Sequence, residues 1–412
     1  MHLAVFFQYY HNPDCPLGGR HYAFIREWAQ RHTITLITTR LWQDRRLSHR
    51  FDWVPEGVVL HALDVPYDNT MEAGRRTLAF ARYAAKAVVR GLSIPRPDVI
   101  LGSSTPLTAA WAAATVARLR GIPWVFEVRD LWPDFPVQMG AIRSPRLRQR
   151  LYAMERRLYD AAAHVVTLSP DMAGHVRACG VPPGRVTTIH QGTDFDLLDA
   201  WTDEDLAALR RAHGLEGRRV VLYAGSFGRA NDLPALLEAA ARLAPRDDLR
   251  FVFTGHGYHA DDVAAAARRH GHLLHLPPQP RHRMLGWFRL ADLSVVSFLD
   301  RPVLAANAPA KLCDSLGAAT PVIVTNPGWT KRLVEEHGCG WYAPPSDPAA
   351  LARTIETALA DPAALAEAGR RGRTVARNLF DRTALARQFE TLLAHTVQTS
   401  PYRAPESPEH GP

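Results

Sequence analysis

At 412 residues the chain is longer than one hydrophobic core usually serves, so two domains are expected. Its 47% hydrophobic and 22% charged residues suit a globular protein, and no apolar run reaches the eighteen or so residues of a spanning helix. The formal charge of +8 admits a nucleic acid, an anionic membrane surface or a phosphorylated substrate as partner; without zinc-finger spacing or an RNP-type aromatic motif, no nucleic acid is expected.

The opening MHLAVFFQYYHNPD lacks a basic n-region, and its apolar run is short for a signal peptide. It reads as a first strand, His2 to Gln8, of a cytoplasmic protein. The loop His11 to Arg20 is rich in turn formers, and Gly18-Gly19 precede a helical pattern from Tyr22 to Gln30. Such glycines make either a tight turn or a place where backbone approaches a substrate closely. Thr33 to Thr39 and Val58 to Leu63 are further strands. Thr77 to Arg90 is a helix with Arg82, Lys86 and Arg90 on its polar side. Pro97 to Gly102 is a short buried strand that delivers Ser103-Ser104-Thr105-Pro106 at its C-terminal end, where open α/β sheets place ligands. Trp124 to Val128 delivers Arg129 and Asp130 in the same way. These charges are either a structural pair (Arg129 with Asp130 or with Glu127) or polar groups aimed into a cleft.

Arg143 to Leu158 is a helix with Leu147, Leu151, Met154 and Leu158 on one face. Arg146, Arg148, Arg150, Arg156 and Arg157 crowd the rest, either as a solvated surface or as a patch for anionic lipid headgroups. His164 to Leu168 and Val186 to Ile189 are strands. Asp194-Phe195-Asp196 offers two carboxylates, but its setting after a short strand favours a linker turn over a metal site. The four cysteines, Cys15, Cys179, Cys313 and Cys339, are scattered without a CxxC pair. That pattern fits reduced thiols and argues against a structural zinc.

The strand-loop-helix pattern then repeats. Arg219 to Leu233, RVVLYAGSFGRANDL, is an apolar run ending in Gly225 and Gly228 before a helix that opens at Asn231 or Asp232. A βα unit of this kind aims backbone N–H groups at an anion. Leu249 to Gly255 and Leu273 to Leu276 are strands, the second followed by Pro277-Pro278-Gln279. Met284 to Leu290 is a short helix, and Leu293 to Phe298 a strand. Pro309 starts a helix whose first turn holds Lys311. A cation there opposes the helix dipole, so local helix stability is not its purpose; it either binds an anion or is a solvent-facing lysine. Asp314 lies on roughly the same side and could accept hydrogen bonds from ribose hydroxyls. Pro321 to Val324 is a strand, and helices follow at Leu351 to Leu359, Ala363 to Val375 and Asp381 to Thr396.

These residues resemble the retaining glycosyltransferases of the GT-B fold, family 4, in the branch of bacterial surface-polysaccharide enzymes of the WbuB/WcaI type. The resemblance rests on Gly18-Gly19-Arg20-His21-Tyr22, Ser104-Thr105-Pro106-Leu107, Phe126 to Pro133, Tyr223 to Gly228, and Pro309-Ala310-Lys311 with Asp314 and Pro321-Val322. It implies an α/β fold of two Rossmann-like domains facing across a cleft: an acceptor-binding domain over 1–200 and a donor-binding domain over 206–378. A C-terminal helix over 381–398 would return to the first domain, ahead of a disordered tail over 400–412. The implied reaction moves a sugar from a nucleotide-sugar donor, UDP-linked, to a glycan, lipid-linked or other hydroxyl acceptor with retention. No cofactor and no metal are implied beyond the donor itself, and peripheral contact with an anionic membrane is.

Carried onto this sequence, the resemblance assigns Asp130, Lys311 and Arg229 to catalysis. It assigns Gly225, Ser226, Phe227, Gly228, Gly255, Pro278, Gln279, Lys311 and Asp314 to the donor, and Gly18, Gly19, Arg20, Thr105 and Arg129 to the acceptor. Three positions depart from the family pattern. The usual Glu-x7-Glu pair is Ala306 and Asp314. The Arg and Lys common after the second-half glycine are Ser226 and Asn231. The usual Gly-Thr-Pro is Ala319-Thr320-Pro321. The competing readings are a nucleotide-sugar 2-epimerase, a glycan-binding relative without activity, and a dinucleotide oxidoreductase; neither half carries the full G-x-G-x-x-G that the last would need.

Overall fold

The computed structural model describes residues 1–10, 19–39, 54–67 and 71–401. Gly18, Cys15 and nearly all of the expected tail lie outside the described residues. The first sheet holds seven parallel strands: β1 (His2–Phe6), β2 (Thr33–Thr39), β3 (Val58–Leu63), β4 (Val99–Ser103), β5 (Trp124–Val128), β6 (His164–Thr167) and β7 (Val186–Thr188), in the order β3-β2-β1-β4-β5-β6-β7. The second holds six: β8 (Arg219–Ser226), β9 (Leu249–His256), β10 (Leu273–Leu276), β11 (Leu293–Val296), β12 (Val322–Val324) and β13 (Gly340–Tyr342), in the order β10-β9-β8-β11-β12-β13. All pair in parallel. Two Rossmann-like α/β units are therefore present, as expected.

Parallel strands are covered on both faces, so they read as continuous apolar runs, and the two-residue period decides which core each residue enters. Leu3 and Val5 pack with Phe24, Ile25 and Trp28, while Ala4 and Phe6 enter the core on the other face with Ala84, Ala110 and Val116. In β5, Val125 lies on the Trp28 side, and Trp124 and Phe126 on the other. By the same period Glu127 joins Val125's face, beneath the helix Arg20–Ala29.

The helix Arg382–Thr399 closes that face. Phe389 meets Trp28 edge-on at 5.5 Å, Trp28 Nε1 donates to Ala386 O at 2.8 Å, and Arg31 reaches Glu390 at 2.7 Å. The return of the C-terminal helix to the first half thus follows from a shared core. The helix Phe195–Asp199, placed in the first half by sequence, lies against the second: Arg377 stacks on Phe195 at 3.8 Å, and Trp201 Nε1 donates to His282 O at 2.9 Å. The chain passes between the halves at Gly192–Asp194, where Thr193 bridges to Asp381.

In each sheet the strand order reverses beside the first strand, at β1/β4 and at β8/β11. Ligand crevices of open α/β sheets lie outside the carboxyl ends of strands at such points.

Candidate active site

At the first crevice the buried Glu127 collects three donors: Arg20 Nε at 3.0 Å, His21 Nε2 at 2.8 Å and Ser103 Oγ at 2.8 Å. Burial alone would raise its pKa; the Nε2–H of His21 and the guanidinium of Arg20 outweigh that and hold the carboxyl well below the usual carboxylate range. Arg20 also donates to the carbonyls of His190 and Ile189. His21 stacks on Phe7 at 3.7 Å, and its Nδ1 accepts from Arg129 at 3.0 Å. Burial, then the cation of Arg129, draws the imidazole down to about 4, so it is neutral with its proton on the Nε2 that faces Glu127. Arg20 and His21 are thus tied into a knot that holds Arg129 at the rim, and neither pairing considered from sequence for Arg129 forms directly. Gly19, with φ +140°, lies against the Arg382 guanidinium, and a Cβ there would come within 2.7 Å of it.

Asp130 accepts from Thr105 Oγ1 at 2.9 Å. Thr105 has φ +82°, a region that β-branched residues rarely enter, and this turn after β4 brings its hydroxyl to Asp130. Thr105, Arg129, Asp130 and Gln191 face Phe298, Asn307, Ala308 and Pro309 of the second half across a pocket of about 170 Å³.

Beyond Pro309 the helix Ala310–Gly317 starts without a side-chain cap, which leaves its first N–H groups unclaimed by any capping side chain. Lys311, in its first turn, lays its Nζ over the Tyr223 ring at 3.8 Å and beside Gly225. The Nζ is buried and has no hydrogen-bond partner among the described residues. Burial draws its pKa from 10.5 to about 7. The turn after β8 that borders Lys311 depends on glycine: Gly225 has φ +120°, and a Cβ on Gly255, φ +155°, would lie 1.8 Å from Gly225 O. The ends of β8 and β9 therefore meet backbone to backbone.

Other residues expected at the donor site have different surroundings. Asp314 is buried and already bound: Arg281 donates to both its oxygens, at 2.6 and 2.7 Å, and Thr193 Oγ1 donates at 2.6 Å. These three bonds anchor it between the helix Arg281–Leu290 and Thr193 of the crossing segment, a structural role that the sequence did not suggest. Phe227 is fully buried in the second core beside Tyr223 and shapes the loop from behind. Arg229 is exposed and stacked on Tyr258 at 3.6 Å. Ser226 is exposed and Gly228 half-buried in the same loop, while Gln279, next to Pro278, turns its amide back onto Pro277 O at 2.9 Å. Asp194, which precedes the helix Phe195–Asp199, is paired with Arg281 at 3.1 Å and with Arg382. Gln191 and Asn307 were not anticipated as pocket residues; neither carries a sequence signal beyond its neighbourhood.

Residues 20–192 match the family described as Glycosyl transferase 4-like domain, and residues 206–375 the family described as Glycosyl transferases group 1. The chain therefore belongs to the GT-B glycosyltransferases, in the branch of bacterial polysaccharide enzymes. It is 25% identical over 269 residues to a protein of Pseudomonas aeruginosa described as "Probable glycosyltransferase WbjE", covering 63% of this chain and 66% of that one. It is 26% identical over 298 residues to a protein of Escherichia coli strain K12 described as a colanic acid biosynthesis glycosyl transferase, WcaI, covering 70% of each. The chain thus spans about two thirds of the length of these relatives. Its fold matches that of HepE from Anabaena, solved in complex with UDP-glucose, at TM-score 0.68 and 17% identity over 96% of this chain and 100% of that one.

Proposed function

We propose that the chain transfers a sugar from a UDP-linked donor, held mainly by the second half, to a hydroxyl of a glycan or lipid-linked acceptor on the first half, with retention at the anomeric carbon. The observation that carries this reading is the Lys311 ammonium, buried over Tyr223 with no hydrogen-bond partner among the described residues, beside the glycine turn of β8 and the uncapped start of its own helix. A buried cation without a counterion is costly, and a bound diphosphate supplies one. Charge develops on the departing nucleotide as the sugar–phosphate bond breaks, so the ammonium and the helix amides act more strongly in the transition state than before it. On this reading no metal is needed for that step. Asp130, positioned by Thr105 on the pocket wall, orients the acceptor or the sugar and is placed to accept a proton. Arg129 and the Glu127 knot set that wall, and Arg229 lies outside it.

Lys311→Ala tests the reading. It should weaken UDP binding by calorimetry, and lower turnover in a UDP-release assay by about two orders of magnitude, equivalent to roughly 3 kcal/mol. Lys311→Arg should recover only part, because a planar guanidinium does not place charge where an ammonium did. The donor for the assay is chosen by thermal shift, with UDP-linked N-acetylated or 6-deoxy sugars first, then other UDP-hexoses, then GDP-sugars. UDP affinity should also fall as pH rises above about 7, where the free Lys311 loses its proton, and this slope should vanish in the alanine variant. Near-normal turnover in a folded Lys311→Ala protein would move the diphosphate away from this residue.

A further inference from the structure

One group of chemistry-bearing side chains stands apart from the pocket and from every role assigned above. Glu155 comes from the helix Pro145–Ala161, His175 from the helix Pro170–Ala178, and Cys179 caps the latter. Their ligand atoms all lie within 4.8 Å of one another. His175 Nε2 is 3.4 Å from Glu155 Oε1 and 3.6 Å from Cys179 Sγ. The first distance is long for a charge-assisted hydrogen bond, which prefers about 2.7–2.9 Å. Both distances fit two corners of a tetrahedron around zinc: bonds of about 2.0–2.1 Å to nitrogen and oxygen and 2.3 Å to sulfur separate N from O by about 3.4 Å and N from S by about 3.6 Å.

The surroundings are those of a metal site. The other imidazole nitrogen, Nδ1, has Asp134 Oδ2 at 3.7 Å, beyond hydrogen-bond reach, so the two must approach when a metal seats on Nε2 to complete the carboxylate–histidine arrangement that orients metal-bound imidazoles. Asp134 is itself held by Tyr152, whose hydroxyl donates to Oδ1 at 2.6 Å, and Glu155 by the Tyr159 hydroxyl at 2.9 Å. The Glu155 side chain is 3% exposed and that of His175 26%, so the base of the group is dry and its mouth is open. His175 and Cys179 stand four apart, on one face of the same helical turn. A search for CxxC pairs passes over that spacing, which is why the scattered cysteines suggested no metal.

We propose that Glu155, His175 and Cys179 bind one zinc-class divalent cation, with Asp134 orienting His175 and the fourth position open to water. The thiol gives up its proton to solvent on binding, and thiolate plus carboxylate then balance the two positive charges. The ion would pin the helix Pro170–Ala178 to the helix Pro145–Ala161, with Asp134 joining the helix Asp134–Gln138. Two of these three helices touch the second half, through Gln138 Oε1 on Val303 N at 2.9 Å and Asp171 Oδ2 on Trp329 N at 2.9 Å. An ion there would stiffen the first half's side of that contact.

The test uses the full chain stripped of metal with a chelator. Cobalt(II) should produce a thiolate charge-transfer absorption that saturates at one equivalent. That band should disappear in Cys179→Ser. Zinc affinity measured by competition should fall at least tenfold in His175→Gln and in Cys179→Ser, and about tenfold in Asp134→Asn, the range seen for outer-shell partners. In the wild-type protein, one equivalent of zinc should protect Cys179 from alkylation, read by peptide mass mapping, which does not depend on any variant folding. Removing the metal should lower the melting temperature and leave UDP binding in place, so failure here and failure of the Lys311 reading are distinguishable. A missing cobalt band, a band that survives Cys179→Ser, or no zinc protection of Cys179 would overturn the proposal.

Discussion

Arg281 reaches Asp314 with two N–H···O bonds and Asp194 with a third, and Arg382 also reaches Asp194 and the carbonyl of Gly192. All four side chains are nearly shielded from water. Burial acts first to lower the pKa of Arg281, but Asp314 and Asp194 outweigh it and hold the guanidinium firmly charged. Removing one partner from such a group leaves a charge buried without compensation, which costs about 3–5 kcal/mol. Asp314→Ala should therefore lose stability of that order in denaturant unfolding, and any loss of UDP binding should follow from unfolding. A stable Asp314→Ala protein with weakened UDP binding would instead return Asp314 to the donor site. From sequence the opposite ranking holds, because Asp314 stands one helical turn from Lys311 and nothing nearby competes for it. Its partner Arg281 lies on a different helix, and pairing across that separation leaves no mark in spacing. Lys311 was legible because its oddness is local: a cation in the first turn of a helix has no helical reason to be there.

At the scale of elements, legibility followed how many sides of an element are buried. The helix Leu107–Arg120 escaped the sequence reading because Leu107, Ala109, Ala110, Ala112, Ala113, Val116 and Ala117 are all buried, which erases an amphipathic stripe. The helix Pro145–Ala161 shows the converse. Its leucine stripe is plain in the sequence, yet only the Leu158 end docks: Leu147 is 46% exposed, and buried Glu155 interrupts the polar side. Leu119, on the helix Leu107–Arg120 that packs against it, is 59% exposed. No helix among the described residues is long and apolar enough to cross a membrane. Exposed leucines beside a run of arginines suit the surface of an anionic bilayer instead, as the lipid-linked acceptor of the proposed reaction would require. Vesicles rich in anionic lipid should sediment the protein. Neutralising Arg146, Arg150, Arg156 and Arg157 together should cut the bound fraction several-fold, and salt should weaken it. Equal sedimentation by the neutralised protein would remove the idea.

For the whole molecule, the doubled βα pattern was readable because each half begins with a buried strand and a glycine turn. The contact between the halves was not, since it joins residues far apart in sequence whose types are ordinary. Ser169 Oγ donates to Ala306 O at 2.6 Å, Gln138 accepts from Val303 N, and Asp171 accepts from Trp329 N and pairs with Arg332. These contacts draw the halves together around a pocket of about 170 Å³, below the roughly 300 Å³ at which pockets for drug-sized ligands begin. A nucleotide-sugar needs more room than this pocket offers, and we expect the donor to enter through a wider form in which these contacts part. Closure would then complete the pocket wall, with Asp130 on one half and Pro309 on the other. Substituting Gln138→Ala and Asp171→Ala together removes side chains that touch only the closing surface, away from Lys311 and Asp130. The doubly substituted protein should show a larger radius of gyration by solution scattering without ligand, and should contract on adding saturating UDP. Its turnover should fall about tenfold or more, because two hydrogen bonds, worth about 0.5–1.5 kcal/mol each, and an exposed ion pair are lost from the closed state. Melting temperature should change little, because neither side chain lies in either core. Unchanged scattering together with unchanged turnover would mean that these contacts do not hold the closed state, and that entry of the donor is controlled elsewhere.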